Sequence, residues 1–143
     1  VDISAPAIAL AKANVHLNFP KTQVQFFVED VFDFLTHREC DYDLAILDPP
    51  AFAKKKKDIP SAIKGYKRLF KQAMERLPSE ALLLLSSCSY YISTEMFERI
   101  IHDAALEAHR TPRIIGRHRH AIDHPINLFH PESEYLKSVL LAL

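Results

Sequence analysis

The chain has 143 residues, 48% hydrophobic and 25% charged, the makeup of one ordinary soluble globular domain. Its 18 basic and 18 acidic residues cancel, so no global field draws it to nucleic acid or membrane, and any such attraction must come from local patches. Two cysteines, Cys40 and Cys88, form no CxxC pair, which argues against a disulfide framework or zinc site and fits a reducing cytosol.

Helix and strand patterns alternate along the chain, which predicts an α/β domain with a largely parallel sheet. Ser4 is placed to cap a helix from about Ala5 to Asn18, where Asn18-Phe19-Pro20 stops it. Val24 to Val28 reads as a short buried strand, followed by Glu29-Asp30 and a short helix from Val31 to Thr36. Asp43 to Leu47 is a second buried strand, ending at Asp48-Pro49-Pro50. Past a run of lysines at 54 to 57, apolar residues recur at three and four from Ser61 to Leu77, which predicts a helix. Ala81 to Leu85 is a third strand, ending at Ser86-Ser87-Cys88-Ser89. Ser93 or Thr94 then caps a helix to about Ala108. Arg113–His120 and Tyr135–Leu143 are the last two strands, and the stretch between them is too short for a parallel crossover, so they should pair antiparallel at one edge. No stretch approaches the roughly 18 apolar residues of a membrane span. The sequence shows no signal peptide.

In open α/β sheets, ligands bind outside the carboxyl ends of the strands. Asp2, Asp30, Asp48 and Cys88 all stand at such ends in this reading, and so are expected to address a common crevice. Taken singly, each has a blander reading: an Asp after a strand is often a cap or turn residue, and a lone Cys is often packing.

Several short motifs carry a resemblance. Asp48-Pro49-Pro50-Ala51-Phe52 is similar to the DPPxF motif after the fourth strand of a group of class I methyltransferases, and Ser87-Cys88-Ser89 to their SCS motif after the fifth. Val1-Asp2-Ile3-Ser4-Ala5-Pro6-Ala7 with Asn14 and Asn18, Gly65-Tyr66-Lys67, Asp123-His124-Pro125 and Glu134-Tyr135-Leu136-Lys137 also match. Together, across essentially the whole chain, they resemble the bacterial large-subunit ribosomal RNA (cytosine-C5) methyltransferases, in which a PUA domain precedes the catalytic domain.

The resemblance implies a Rossmann-like class I fold dependent on S-adenosylmethionine (SAM), with a mostly parallel sheet and an antiparallel final strand. Residues 1–143 would be part of that catalytic domain, without its first strand and glycine-rich loop. The chain has only Gly65 and Gly116, and it opens on Val1 without an initiator methionine, so truncation is the expectation. The chain by itself would then bind SAM poorly, and its exposed sheet edges would favour a homodimer. Ribosomal RNA is the implied partner, with no membrane involved and a cytoplasmic location.

Methylating C5 of cytosine is difficult because C5 is barely nucleophilic. A thiolate adding to C6 turns the ring into an enamine whose C5 can take the methyl group. The resemblance assigns that thiolate to Cys88, and Asp48 to the N3 edge of the base, where it stabilises charge as the thiol adds. Asp2 would accept from the cofactor ribose hydroxyls and Asp30 from the adenine amine, with Val31 or Phe32 against the ring; Asp48 also borders the cofactor. Pro49, Pro50 and Phe52 would wall the target-base pocket, Phe52 either stacking on a flipped base or packing into the core. Lys54 and Lys55, with Lys56 and Lys57, read either as phosphate contacts or as a solvated loop. His118, His120, His124 and His130 lack a ligand spacing, so surface or RNA-facing histidines are expected rather than a metal site. Two other functions stay open: N-methylation of an RNA purine, which needs no cysteine at position 88, and non-catalytic RNA binding.

Overall fold

Residues 1–143 are described by a computed structural model, which separates into two compact units, Val1–Glu39 and Cys40–Leu143. In the first unit, local side-chain chemistry sets the helix ends. The Ser4 hydroxyl accepts from the Ala7 N–H at 3.3 Å, and helix α1 runs over Ala5–Asn18 with proline in its first turn, where no N–H is required. It closes with the Phe19 N–H donating to the Val15 carbonyl at 2.8 Å. Helix α2, Val31–His37, starts under Asp30, whose Oδ1 accepts from the Phe32 N–H at 2.8 Å. Phe34 and Leu35 are buried there, with the Phe34 ring 5.2 Å from that of Phe27. The Arg38 guanidinium covers Phe27 at 4.3 Å and pairs with Glu29 at 2.9 Å.

The strand expected over 24–28 does not form. One parallel bridge, Asp2 to Val28, stands in its place, held by Asp2 N–H to Phe27 O and Glu29 N–H to Asp2 O, each 3.1 Å. In a parallel pairing that sets Asp2 against Val28, residues 24–27 would lie beside residues N-terminal to Asp2, of which this chain holds only Val1, so one rung is all that can form here. Val24 and Val28 are accordingly exposed.

The second unit is a four-stranded sheet with two long helices. Strands β1 (Leu44–Leu47), β2 (Leu82–Ser87), β3 (Arg113–His118) and β4 (Lys137–Ala142) lie in the order β1-β2-β4-β3. β1 and β2 are parallel, and β4 runs antiparallel to both β2 and β3, so three strands share one direction and the last opposes them. The antiparallel pairing of the last two strands at one side of the sheet therefore agrees with the expectation from connection length.

Helix α3, Ile59–Arg76, buries Ala62, Tyr66, Leu69, Phe70, Ala73 and Met74, a stripe at helical spacing. Helix α4, Thr94–Glu107, capped by Ser93, buries Phe97, Ile100, Ile101, Ala104 and Ala105. The two meet through Phe70 and Phe97, edge to face at 5.6 Å and 87°. Leu83 and Leu85 of β2 lie on the covered face of the sheet, with Leu141 and Val139 of β4 as their cross-strand partners. Ser87, two residues further along the same face, touches Tyr66 of α3, which places α3 over that face.

β1 departs from the reading as a buried strand. It is an edge strand, and only Ala45 and Leu47, opposite Leu83 and Leu85, lie on the covered face. Leu44 and Ile46 point the other way and are 50% and 61% exposed. β2 runs two residues further than expected because Ser86 and Ser87 pair with Ser138 and Lys137 of β4. No helix is long and apolar enough to cross a membrane.

Candidate active site

Parallel neighbours place their carboxyl ends at the same edge of a sheet, and β1 and β2 are in register with Leu47 opposite Leu85. Asp48, Pro49 and Pro50 leave the end of β1, and Cys88 leaves the end of β2. Asp48 is exposed and Cys88 half-buried, so neither is locked in the core. Cys40, the other cysteine, is buried and precedes β1, at the opposite end of that strand.

The three residues Ser87-Cys88-Ser89 divide by their environment. Ser87 and Ser89 are fully buried, while Cys88 between them is not, the alternation expected of extended backbone. Both serines are satisfied. Ser87 Oγ donates to the Tyr66 hydroxyl at 3.0 Å and accepts from the Ser89 N–H at 3.3 Å. Ser89 Oγ accepts from the Ala53 N–H at 3.2 Å, donates to the Ala53 carbonyl at 3.4 Å, and lies 3.5 Å from the Tyr66 hydroxyl. The loop after β1 is thereby tied to the loop after β2 by a reciprocal bond at Ala53.

Phe52 explains why a glycine precedes Tyr66. Its ring packs on Tyr66 with centroids 4.5 Å apart, and a Cβ added at Gly65 would stand 3.1 Å from the Phe52 ring. DPPxF, GYK and SCS are thus three parts of one packed cluster: Phe52 needs the gap at Gly65, and Tyr66 carries the hydroxyl that holds both serines. Lys54 and Lys55 are exposed, and their N–H groups donate to Asp58 Oδ2 at 3.2 and 3.0 Å, which turns the lysine run into the start of α3.

One residue of this cluster was given no role from the sequence. Lys137, opposite Ser87 in the β2–β4 ladder, is buried, and its Nζ donates to the Ser89 carbonyl at 2.6 Å and to the Ile92 carbonyl. Burial pulls the ammonium below its ordinary value, with the neighbouring Cys88 and Glu134 acting in the opposite direction. Its signals in the sequence are its place in the Glu134-Tyr135-Leu136-Lys137 motif and a lysine opening a mostly apolar strand. Beside it lies a cavity of about 380 Å³ whose lining includes Tyr90, Ser93, Arg119, Glu134 and Lys137, but neither Asp48 nor Cys88.

In the first unit, Asp2 and Asp30 each use one carboxylate oxygen on a backbone N–H, of Ser4 at 2.7 Å and of Phe32 at 2.8 Å. The second oxygen of each carboxylate still has acceptor capacity. Val31 and Phe32 are half-buried. His118, His124 and His130 are exposed, whereas His120 packs edge-on against Tyr135 at 4.6 Å and accepts from the Leu136 N–H at 3.2 Å. No three His, Cys, Asp or Glu side chains gather as a metal ligand set.

A family profile described as "Methyltransferase small domain" matches residues 1–109. The chain belongs to this methyltransferase family. Among curated relatives, ribosomal RNA large subunit methyltransferase I of Tolumonas auensis is 40% identical over 145 residues, covering 99% of this chain and 36% of the relative. The protein of that name from Alteromonas mediterranea is 39% identical, covering 98% and 36%. The chain thus spans about a third of the length of the curated relatives it matches. Among solved structures, SMU.776 complexed with SAH superposes with a TM-score of 0.82 at 24% identity, covering 99% of this chain and 38% of that one. An S-adenosylmethionine-dependent methyltransferase from Clostridium acetobutylicum gives a TM-score of 0.62 at 11% identity, covering 99% and 73%. These likenesses establish the class I methyltransferase fold, with its mixed sheet, for the methyltransferase small domain described here.

Proposed function

We propose that this chain carries the catalytic residues of an S-adenosylmethionine-dependent ribosomal RNA methyltransferase that acts on C5 of a cytosine through a covalent adduct with Cys88. The observation that supports it most is the position of Asp48 and Cys88 after the carboxyl ends of two adjacent parallel strands, one exposed and the other half-buried. Membership of the methyltransferase family supplies the reaction type, and the names of the relatives point to ribosomal RNA.

The cofactor, when bound, supplies the methyl group. The residues present fit it chemically: Asp2 offers a carboxylate acceptor to ribose hydroxyls, Asp30 offers one to the adenine amine, and Val31 gives an apolar wall. On the substrate side, the Cys88 thiolate adds to C6 of the cytosine, and the carboxylic acid form of Asp48 donates a hydrogen bond to N3 as negative charge moves into the ring. The ring then takes the methyl group at C5. Removal of the C5 proton returns the electron pair to the ring, breaks the C6–S bond and frees Cys88. Pro49, Pro50 and Phe52 border the target base, and Lys54 and Lys55 contact flanking phosphates.

The test uses full-length protein, ribosomal RNA and nucleoside mass spectrometry. Cys88→Ala is expected to leave no 5-methylcytidine above background, and Asp48→Asn to slow its formation by about a hundredfold or more. Methyl transfer to a purine nitrogen that survives Cys88→Ala overturns the reading in favour of N-methylation.

A further inference from the structure

A lysine is rarely buried without a carboxylate beside it, because desolvating an ammonium costs several kcal/mol. Lys137 is buried and its Nζ is bonded to no carboxylate, with Glu134 acting on it only through its charge. Lys137 opens β4 directly opposite Ser87, the next residues on its face of the strand, Val139 and Leu141, are core, and its Nζ is held by two backbone carbonyls. Those carbonyls belong to Ser89 and Ile92, so the lysine grips the chain on the far side of Cys88 while its own backbone pairs with the residue on the near side. An ammonium has three donors, and the two carbonyls use two of them. A neutral side chain of similar length, such as methionine, would fill the space with no desolvation penalty, so packing alone does not account for a cation here.

We propose that Lys137 is a positioning residue for Cys88: its buried ammonium fixes the chain that follows the cysteine and holds positive charge beside the thiolate. This rests on the reading of Cys88 as the nucleophile. The two roles are separable, because the carbonyl grip needs only N–H donors whereas the second role needs the charge. Cys88 itself is half-buried and so open to a small reagent. The Nζ sits 2.6 Å from the carbonyl of Ser89, the residue after Cys88, which brings its charge close to the cysteine. A thiolate, not a thiol, is the attacking species, and a neighbouring cation favours it.

The experiment is the alkylation rate of Cys88 by iodoacetamide at constant neutral pH, read peptide by peptide by mass spectrometry in full-length protein. Wild type is compared with Lys137→Gln, which keeps donors without charge, Lys137→Met, which keeps neither, and Lys137→Arg, which keeps both. Circular dichroism and melting curves report folding. Alkylation is expected to fall about fivefold or more in the Gln and Met variants and to return to within about twofold of wild type in the Arg variant. A purely structural lysine predicts the opposite direction, since a loosened loop exposes Cys88 and speeds alkylation. Folded Gln or Met variants that react as fast as wild type or faster overturn the proposal. So does failure of both to fold where Lys137→Arg folds, which would make the residue a structural support. Alkylation needs neither RNA nor methyl transfer, so its outcome is independent of the Cys88→Ala assay that tests the underlying mechanism.

Discussion

The loops at the ends of β1 and β2 stand side by side and are built in opposite ways. The loop after β1 leaves an edge strand whose Leu44 and Ile46 face outward, and it begins with exposed Asp48 and half-buried Pro49. It is anchored only further on, at Phe52 and Ala53. The loop after β2 leaves a strand paired on both sides and is anchored at once, through Ser87 to Tyr66 and through Ser89 to Ala53, Tyr66 and Lys137. The difference puts Cys88 on a rigid mount beside the more exposed Asp48. Under the proposed mechanism, rigid placement would suit a cysteine that must form a bond at one atom, and exposure an aspartate that only hydrogen-bonds a base edge.

The contrast between the strands themselves should give the largest effect on stability. Leu85→Ala, on the covered face of β2, is expected to cost about 2–5 kcal/mol, while Ile46→Ala on the outer face of β1 costs less than about 1 kcal/mol. Urea denaturation of the two variants checks this, and equal losses would mean that β1 is covered after all.

Next comes the shared hydroxyl under the β2 loop. Tyr66→Phe keeps the ring packing but leaves Ser87 and Ser89 short of a buried partner, at a cost of about 1–3 kcal/mol. The same measurement reads it, and a neutral outcome would show the serines to be satisfied without Tyr66.

A smaller effect lies where the β1 loop meets α3. Alanine for glycine inside a helix gains up to about 1 kcal/mol, but at position 65 the new Cβ presses on the Phe52 ring. Gly65→Ala is therefore expected to be near neutral or destabilising alone, and stabilising by about 1 kcal/mol in a Phe52→Ala background. A double-mutant cycle showing no coupling would remove Phe52 as the reason for the glycine.

The smallest effect lies away from both loops and acts as a control. Arg117 holds the Glu98 carboxyl below its ordinary value of 4.5, through bonds of 2.7 and 3.2 Å. A carboxylate with a lowered folded value stabilises above its unfolded pKa and loses that contribution as pH falls through the folded one. Glu98→Gln should thus narrow the stability gap between neutral pH and about pH 3, and leave the alkylation of Cys88 unchanged. Melting curves across that range decide it.

What could be read from the sequence was local. Helix starts at Ser4, Asp30 and Ser93 and the stripes of α3 and α4 follow from groups two to four residues apart. The same logic fell short at 24–28, whose apolar composition reads as a strand but whose parallel partner would lie N-terminal to Asp2. It failed again at β1, whose apolar run resembles a buried strand although the face that carries Leu44 and Ile46 is left uncovered.

The candidate residues Asp48 and Cys88 were legible as polar groups after apolar runs. The packed cluster behind them was not. Bonds such as Ser87 to Tyr66 and Ala53 to Ser89 span 21 and 36 residues, and Lys137 reaches Ser89 across 48. No periodicity carries information over such separations. Local propensity selected the elements; the strand register selected which side chains meet, because a shift of one residue along β4 would turn Lys137 to the other face of the sheet and leave Ser89 and Ile92 without their cation.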